Sequence, residues 1–236
     1  MLVAVSQERV QELLQIAEPL QGDERLVVLT FAAREWGKAG EVGRAHELLD
    51  RVAAENPTGI EARARLSLER AWLVLDEDSD TAPDRAADLA REAAGITASH
   101  LDTTPLGGLH IEALRLRARA ADTADEQIAS LRKAIALCQS SKDPEARAWE
   151  PRLLIDIARV DYQVQRIALA RQRLDEAMES ARRTGDEPAA HEAARLQAWI
   201  QDQLDELARA HQMDEQETVA RLRLPAGERG APDLNS

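Results

Sequence analysis

Apolar side chains recur along this chain at separations of three and four residues, which places them on one face of a helix; a strand would alternate at every second residue. Val10, Leu13, Leu14 and Ala17 form one such stripe. Leu26, Leu29, Ala33 and Trp36 form a second, and Ala45, Leu48, Leu49 and Val52 a third. Short polar breaks separate the periodic stretches, each holding the Gly, Pro, Asp or Asn that ends a helix or starts a turn. They fall at Gln21–Asp23, Lys38–Gly40, Asn56–Gly59, Asp76–Asp80, Gly95–Gly108, Ala121–Asp125, Ser140–Pro144 and Thr184–Pro188. The pattern predicts about ten helices. Their short connections turn the chain back on itself, so successive helices should form hairpins.

The composition agrees with helices throughout. Of 236 residues, 44% are hydrophobic and only 3% aromatic, with Gly 11 and Pro 9. A sandwich or barrel would need many more turn residues and β-branched or aromatic side chains. The apolar content is enough for one large core or one elongated array, and too high for a disordered chain. The lone cysteine, Cys138, follows Ala134, Ile135 and Leu137 and reads as a buried structural thiol. MLVAVSQERV has no basic start and too short an apolar run for a leader, so a reducing, cytoplasmic setting is expected.

A repeat underlies the hairpins. Ala45 is followed by Leu49, Ala86 by Ala90 and Ala93, and Ala170 by Leu174 and Ala177. The equivalent between them lies near Gln127 to Ser130, followed by Leu131 and Ala134. Steps of about 40 residues separate these points, the range in which helical hairpins stack as solenoids. Small side chains there would let neighbouring helices approach closely, and a bulky one would overpack the contact.

Trp36, Gly40, Ala45, Leu49 and Pro57, with Ala33 ahead of them, have the spacing of the tetratricopeptide repeat, over roughly residues 26–59. Ala158, Ala170, Leu174 and Ala177 make a weaker copy over roughly 151–184. Departures are plain: Val52 stands where the family has a small residue, and Gln165 and Arg182 stand where it has Gly and Pro. The longer step resembles the long tetratricopeptide variants of bacterial adaptors and regulators. The resemblance implies an all-α, right-handed superhelix of hairpins near 26–59, 60–98, 106–142 and 144–184. Residues 187–222 would cap it, ahead of a flexible tail at 223–236.

It also implies a non-catalytic adaptor or assembly module that binds a peptide or protein segment on its concave face. A ligand- or peptide-sensing regulatory module acting through a partner protein is the alternative. Carrying the family's groove register onto this chain points Val27, Thr30, Arg34 and Lys38 inward from one repeat. Arg152, Ile155, Arg159 and Tyr162 point inward from another, with Arg115 and Arg119, one turn apart, between them. Such a basic stripe suits an acidic partner segment, because Arg presents a planar fork to carboxylates. The competing reading pairs these arginines with Glu112, Asp156 or Asp161 on a solvated face. The family's chaperone-tail clamp needs Asn in its first helices, and the chain has only Asn56 and Asn235.

Other chemistry is sparse. With Lys+Arg 30 against Asp+Glu 43 the net charge is −13, which disfavours nucleic acid or an anionic membrane as partner. The acidic run Asp76, Asp78, Asp80 begins like a calcium loop, but Thr81 and Ala87 stand where that loop needs Gly and Glu. The five histidines include no pair at metal-ligating helical spacing, although His100, Asp102 and His110 share one predicted loop. Gly107-Gly108 lacks the strand and the Lys of a phosphate loop. The expectation is therefore no metal, no cofactor and no catalytic residue.

Overall fold

The computed structural model describes the backbone of residues 2–77, 79–103 and 105–223, and the side chains between 7 and 210 within them. Among the described residues the regular structure is entirely helical: α1 Leu2–Ala17, α2 Gly22–Lys38, α3 Val42–Ala54, α4 Ile60–Leu75, α5 Ala82–Thr97, α6 Leu106–Arg119, α7 Ala124–Ser140, the single turn α8 Pro144–Arg147, α9 Glu150–Gln163, α10 Ile167–Thr184 and α11 Glu187–Arg223. Consecutive helices from α1 to α7 pack on each other, as do α7 with α9, α9 with α10 and α10 with α11; α2 also touches α4, α4 touches α6, α9 touches α11, and α8 touches α6 and α7.

The periodic stripes become the core. Ala45, Leu49 and Val52 of α3 and Leu26, Leu29 and Ala33 of α2 are buried in one cluster, shared with Val10 and Ala17 of α1 and Ala62 and Leu73 of α4. A second cluster joins α4, α5 and α6 through Leu68, Ala90, Ala93 and Leu116. A third joins α6, α7 and α9 through Ile111, Leu131, Ala134 and Leu153. The fourth joins α9, α10 and α11 through Ile155, Ala170, Leu174 and Ile200. A small fifth, Val74, Ala82, Ala86 and Ala120, adjoins the second through Leu75 and Leu89. Each of the four larger clusters thus ends on the helix where the next begins, so α4, α6 and α9 bury two faces apiece. The small residues picked out by the repeat, Ala45, Ala86, Ala90, Ala134, Ala170 and Ala177, all have no exposed surface. An alanine leaves the neighbouring backbone close, and close-packed interiors have no room to absorb a larger side chain.

Local signals explain most helix ends. Pro83 and Pro151 sit in the first turns of α5 and α9, where a missing N–H costs nothing. Thr123 caps α7 by accepting the Glu126 N–H, and Asp143 caps α8 by accepting the Glu145 N–H. The connection between α3 and α4 is pinned to the start of α2. There the Asp23 carboxylate accepts the Thr58 hydroxyl at 2.7 Å, the Thr58 N–H at 3.0 Å and the Gly59 N–H at 2.8 Å.

Four boundaries depart from the sequence expectation. Gly95–Gly108 is not one long loop: α5 runs to Thr97 and α6 starts at Leu106, so His110 lies inside a helix, its Nδ1 3.0 Å from Thr97 Oγ1. Gly107 is helical, and a Cβ there would collide with the Leu101 carbonyl oxygen. Residues 144–147 form the extra turn α8. Glu187–Arg223 is one unbroken helix, which takes in Arg223, the first residue of the expected tail. Residues 224–236 of the expected tail lie outside the described residues.

The fourth departure is a turn that sequence breakers do not mark. Between α9 and α10, Gln165 adopts a left-handed φ of 63°, as Gly40 does between α2 and α3 at 80°. The hydrogen bonds match: Gly40 N–H to Gly37 O and Glu41 N–H to Trp36 O in one turn, Gln165 N–H to Tyr162 O and Arg166 N–H to Asp161 O in the other. This is the helix-ending motif that glycine normally serves. A side chain makes the left-handed region unfavourable by about 1–2 kcal/mol, partly offset by the greater freedom glycine has when unfolded.

Gln165→Gly should therefore raise stability by about 0.5–1 kcal/mol in denaturant titrations; a loss instead would mean the Gln165 side chain has a structural role. Ala45→Leu and Ala170→Leu should each lose about 1–3 kcal/mol through overpacking. The exposed Glu179→Ala should change stability by less than about 0.5 kcal/mol, and equal melting of all three variants would contradict the packing just described.

Candidate functional site

Along α2, α4, α6, α9 and α11 runs a ladder of ion pairs. Arg34 of α2 donates through Nε to Glu69 of α4 at 2.8 Å and through a terminal nitrogen to Glu112 of α6 at 2.5 Å. Arg115, one helical turn beyond Glu112, reaches Asp156 of α9 at 2.5 and 3.2 Å. Arg159, nearly one turn beyond Asp156, reaches Glu192 of α11 at 2.5 Å and lies 3.5 Å from Asp156. α6 and α9 thus each use an acid to hold an earlier helix and an arginine to hold a later one, and the partners along the ladder stand 33 to 78 residues apart in sequence.

The first rung is the most buried. The Glu69 side chain is 2% exposed, Glu112 6% and Arg34 25%. Trp72 adds its indole N–H to Glu112 at 3.0 Å. Two carboxylates share one guanidinium here. Burial, reinforced by the Glu112 charge and only partly countered by Arg34, pushes the Glu69 carboxyl from 4.5 up to about 7. Burial pulls the other way on Arg34, but Glu112 and then Glu69 outweigh it, and its pKa rises above the ordinary value.

Two adjoining cavities open along this face. One, of about 360 Å³, is lined by Arg34, Lys38, Glu69, Trp72, Asp76, Glu112, Arg115, Arg119, Trp149 and Arg152. The other, of about 380 Å³, is lined by Arg115, Arg119, Gln127, Asp156, Arg159 and Gln163. Arg115 and Arg119 belong to both. The guanidinium of Arg119 lies 4.6 Å from the Trp72 ring centre, and that of Arg115 lies 6.0 Å from Trp72 and 5.9 Å from Trp149. The Arg152 guanidinium lies 5.9 Å from the Trp149 ring centre.

The cationic residues predicted from sequence therefore all line these two cavities, but they are not a stripe of free charges. Arg34 and Arg115 are spent on Glu69, Glu112 and Asp156, and are mostly covered. Lys38 is 59% exposed and pairs only with Glu35, one turn back. Arg152 pairs with Asp186 at 3.1 Å and stays half exposed, as does Arg159. Arg119 is exposed and has no ion pair among the described residues. Tyr162 lies elsewhere: it packs edge-on to Trp199 of α11, ring centres 4.9 Å apart, in the α9–α11 contact. Ile155 and Thr30 are buried, and Val27 is half-buried against the first core cluster, so none of the three offers an open apolar surface.

Sequence reasoning passed over Trp72, Trp149, Glu69, Gln127 and Gln163. The two tryptophans carried a usable signal, since a chain with only four Trp, one Tyr and one Phe has few aromatic walls to spend. Asp76 and Asp80 are exposed, and Asp78 lies outside the described residues. No group of three or more potential metal-ligating side chains occurs among the described residues. Cys138 is buried, and burial, with Glu150 nearby, pushes its thiol up to about 12. A thiolate at that position is therefore inaccessible at neutral pH. No helix among the described residues is long and apolar enough to cross a membrane.

The raised Glu69 carboxyl has a pH signature of definite sign. Its folded value exceeds its unfolded one, so its contribution to stability is present below pH 4.5 and is lost as pH rises through about 7. Glu69→Gln, which cannot titrate, should give a flatter plot of unfolding free energy between those limits than the natural chain. Superimposable slopes for the two proteins would rule out Glu69 as the titrating group.

No protein-family model matches this chain, and neither a curated protein nor a solved structure matches it.

Proposed function

We propose that the chain is a tetratricopeptide-like helical repeat, wound as a right-handed superhelix, that works as a non-catalytic adaptor or assembly module. Its partner is a protein segment carrying acidic side chains, held along the face shared by α2, α4, α6 and α9. The observation that supports this most is the pair of adjoining cavities that collects Arg34, Lys38, Arg115, Arg119, Arg152 and Arg159. Four carboxylates, Glu69, Asp76, Glu112 and Asp156, line them, so the lining itself holds more cations than anions in a chain whose net charge is −13, with Glu35, Asp186 and Glu192 paired at its rim. Charge of that sign would steer an acidic segment to this face and away from the rest of the surface.

The repeat reading rests on the relay of core clusters and on the matching turns at Gly40 and Gln165. Stacked repeats bury a core only between neighbours, which is how the four larger clusters are distributed. A ligand-sensing regulatory module is the second reading, favoured by the size of the cavity between Trp72 and Trp149. At about 360 Å³ it falls in the range of small-ligand sites, about 300–1,000 Å³.

The test is a partner captured by cross-linking, identified by mass spectrometry, repurified and titrated calorimetrically. The double variant Lys38→Glu/Arg159→Glu should bind it about ten-fold or more weakly, and Arg183→Glu, away from both cavities, should bind as the natural chain does. Affinity should fall as salt rises from about 50 to about 500 mM, since screening acts over about 10 Å at 0.1 M. Unchanged affinity in the double variant, with its melting temperature retained, would refute the adaptor face.

A further inference from the structure

We propose that Arg119, laid over the Trp72 ring, is the reading residue of a carboxylate subsite that takes one Asp or Glu side chain of an extended acidic peptide; this rests on the peptide-binding reading of the face. Position is the first ground. Arg119 borders both cavities, at the point where they meet, and so faces any segment that runs from one into the other. An extended segment carries alternate side chains on one face, about 7 Å apart, which suits two adjoining cavities.

Availability is the second ground. The other five cations lining the cavities each have a carboxylate partner: Arg34 with Glu69 and Glu112, Lys38 with Glu35, Arg115 with Asp156, Arg152 with Asp186, and Arg159 with Glu192. Arg119 has none among the described residues, so an incoming anion displaces nothing to reach it. The third ground is preorganisation. The Arg119 guanidinium lies 4.6 Å from the indole centre, and Trp72 is itself held by its N–H on Glu112, which Arg34 holds in turn. A stacked guanidinium keeps its planar fork free at the edge, the geometry for a two-point contact with a carboxylate. Because the fork is already oriented, less rotamer freedom is lost on binding.

The choice of a carboxylate over a phosphate follows from the neighbours. Glu112 lines one cavity and Asp156 the other, both beside Arg115. A doubly charged phosphate doubles its attraction to Arg119 and its repulsion from both carboxylates alike, while its desolvation cost rises with the square of its charge, so one guanidinium offsets that cost less well. A singly charged carboxylate matches the single uncommitted cation.

Intrinsic fluorescence tests this in a Trp36→Phe/Trp199→Phe background that melts like the natural chain and leaves Trp72 and Trp149 as reporters. Capped hexaglutamate should change the emission saturably, and hexaglutamine should not. Arg119→Gln should weaken hexaglutamate about ten-fold or more, Arg119→Lys should restore part of the loss, and Arg91→Gln, on the exposed face of α5, should leave it unchanged. A hexapeptide of alternating alanine and phosphoserine should bind more weakly than hexaglutamate; tighter binding would overturn the carboxylate assignment. If hexaglutamate binding survives Arg119→Gln but falls in Lys38→Glu/Arg159→Glu, the subsite is refuted and the adaptor face stands. If hexaglutamate does not bind at all, the subsite is refuted, and titration of the repurified partner decides the adaptor face independently.

Discussion

The guanidinium of Arg34 sits where three helices meet, and the geometry of the whole face follows from it. One nitrogen ties α2 to α4 through Glu69 and another ties α2 to α6 through Glu112. Buried charges of this kind are costly to create and costlier to break, because deleting one partner strands the others in a poorly solvated site, at about 3–5 kcal/mol. Its contribution is better seen as register than as net stability. The fork of Arg34 is met only when α2, α4 and α6 stand in one relative position, and Trp72, held by Glu112, is placed by the same contact. Arg115 with Asp156 and Arg159 with Glu192 repeat the device toward α11 in more open surroundings.

Between the helices the core depends on what alanine leaves out. Ala45, Ala86, Ala90, Ala134, Ala170 and Ala177 are wholly buried, and each brings little apolar surface of its own. What alanine permits is close approach, beside which Leu49, Leu68, Leu131, Leu153 and Leu174 are buried in the remaining space. The core is accordingly divided into clusters handed from one helix to the next. Elements that touch only near neighbours must fix their mutual angle with local contacts, and the ion-pair ladder adds polar contacts of defined direction to the non-directional apolar ones.

The same ladder sorts the cations into two groups. Arg34 and Arg115 are built into the frame, and their charge is answered at short range by Glu69, Glu112 and Asp156. Lys38, Arg119, Arg152 and Arg159 remain near solvent, held by weaker surface pairs or, for Arg119, by the face of Trp72. Exposed pairs contribute little and exchange partners easily. Glu69 links the two groups, since a carboxyl that takes up a proton near neutral pH alters the charge beneath the cavity between Trp72 and Trp149.

The sequence by itself determined the helices, most of their ends and the buried small residues, because all three depend on neighbours within one or two turns. The period of 3.6 placed Leu26, Leu49 and Leu174 in the core, and Pro83, Asn56 and Gly40 marked ends that the structure keeps. The grouping of Arg34, Arg115, Arg119 and Arg159 came from the groove register that the tetratricopeptide resemblance implies, because local periodicity relates only residues of one helix. The turn at Gln165 carries no breaker of its own, and only the repeat register, which sets Gln165 where the family has Gly, pointed to its left-handed conformation. Tertiary structure alone decided which charges are free: Arg34 finds Glu112 78 residues away, and nothing in either local sequence specifies that partner. Ion pairs of this range are set by how whole helices pack, so a stripe that reads as basic along the chain becomes, in three dimensions, a ladder of paired charges beside which Arg119 alone of the stripe has no ion pair among the described residues.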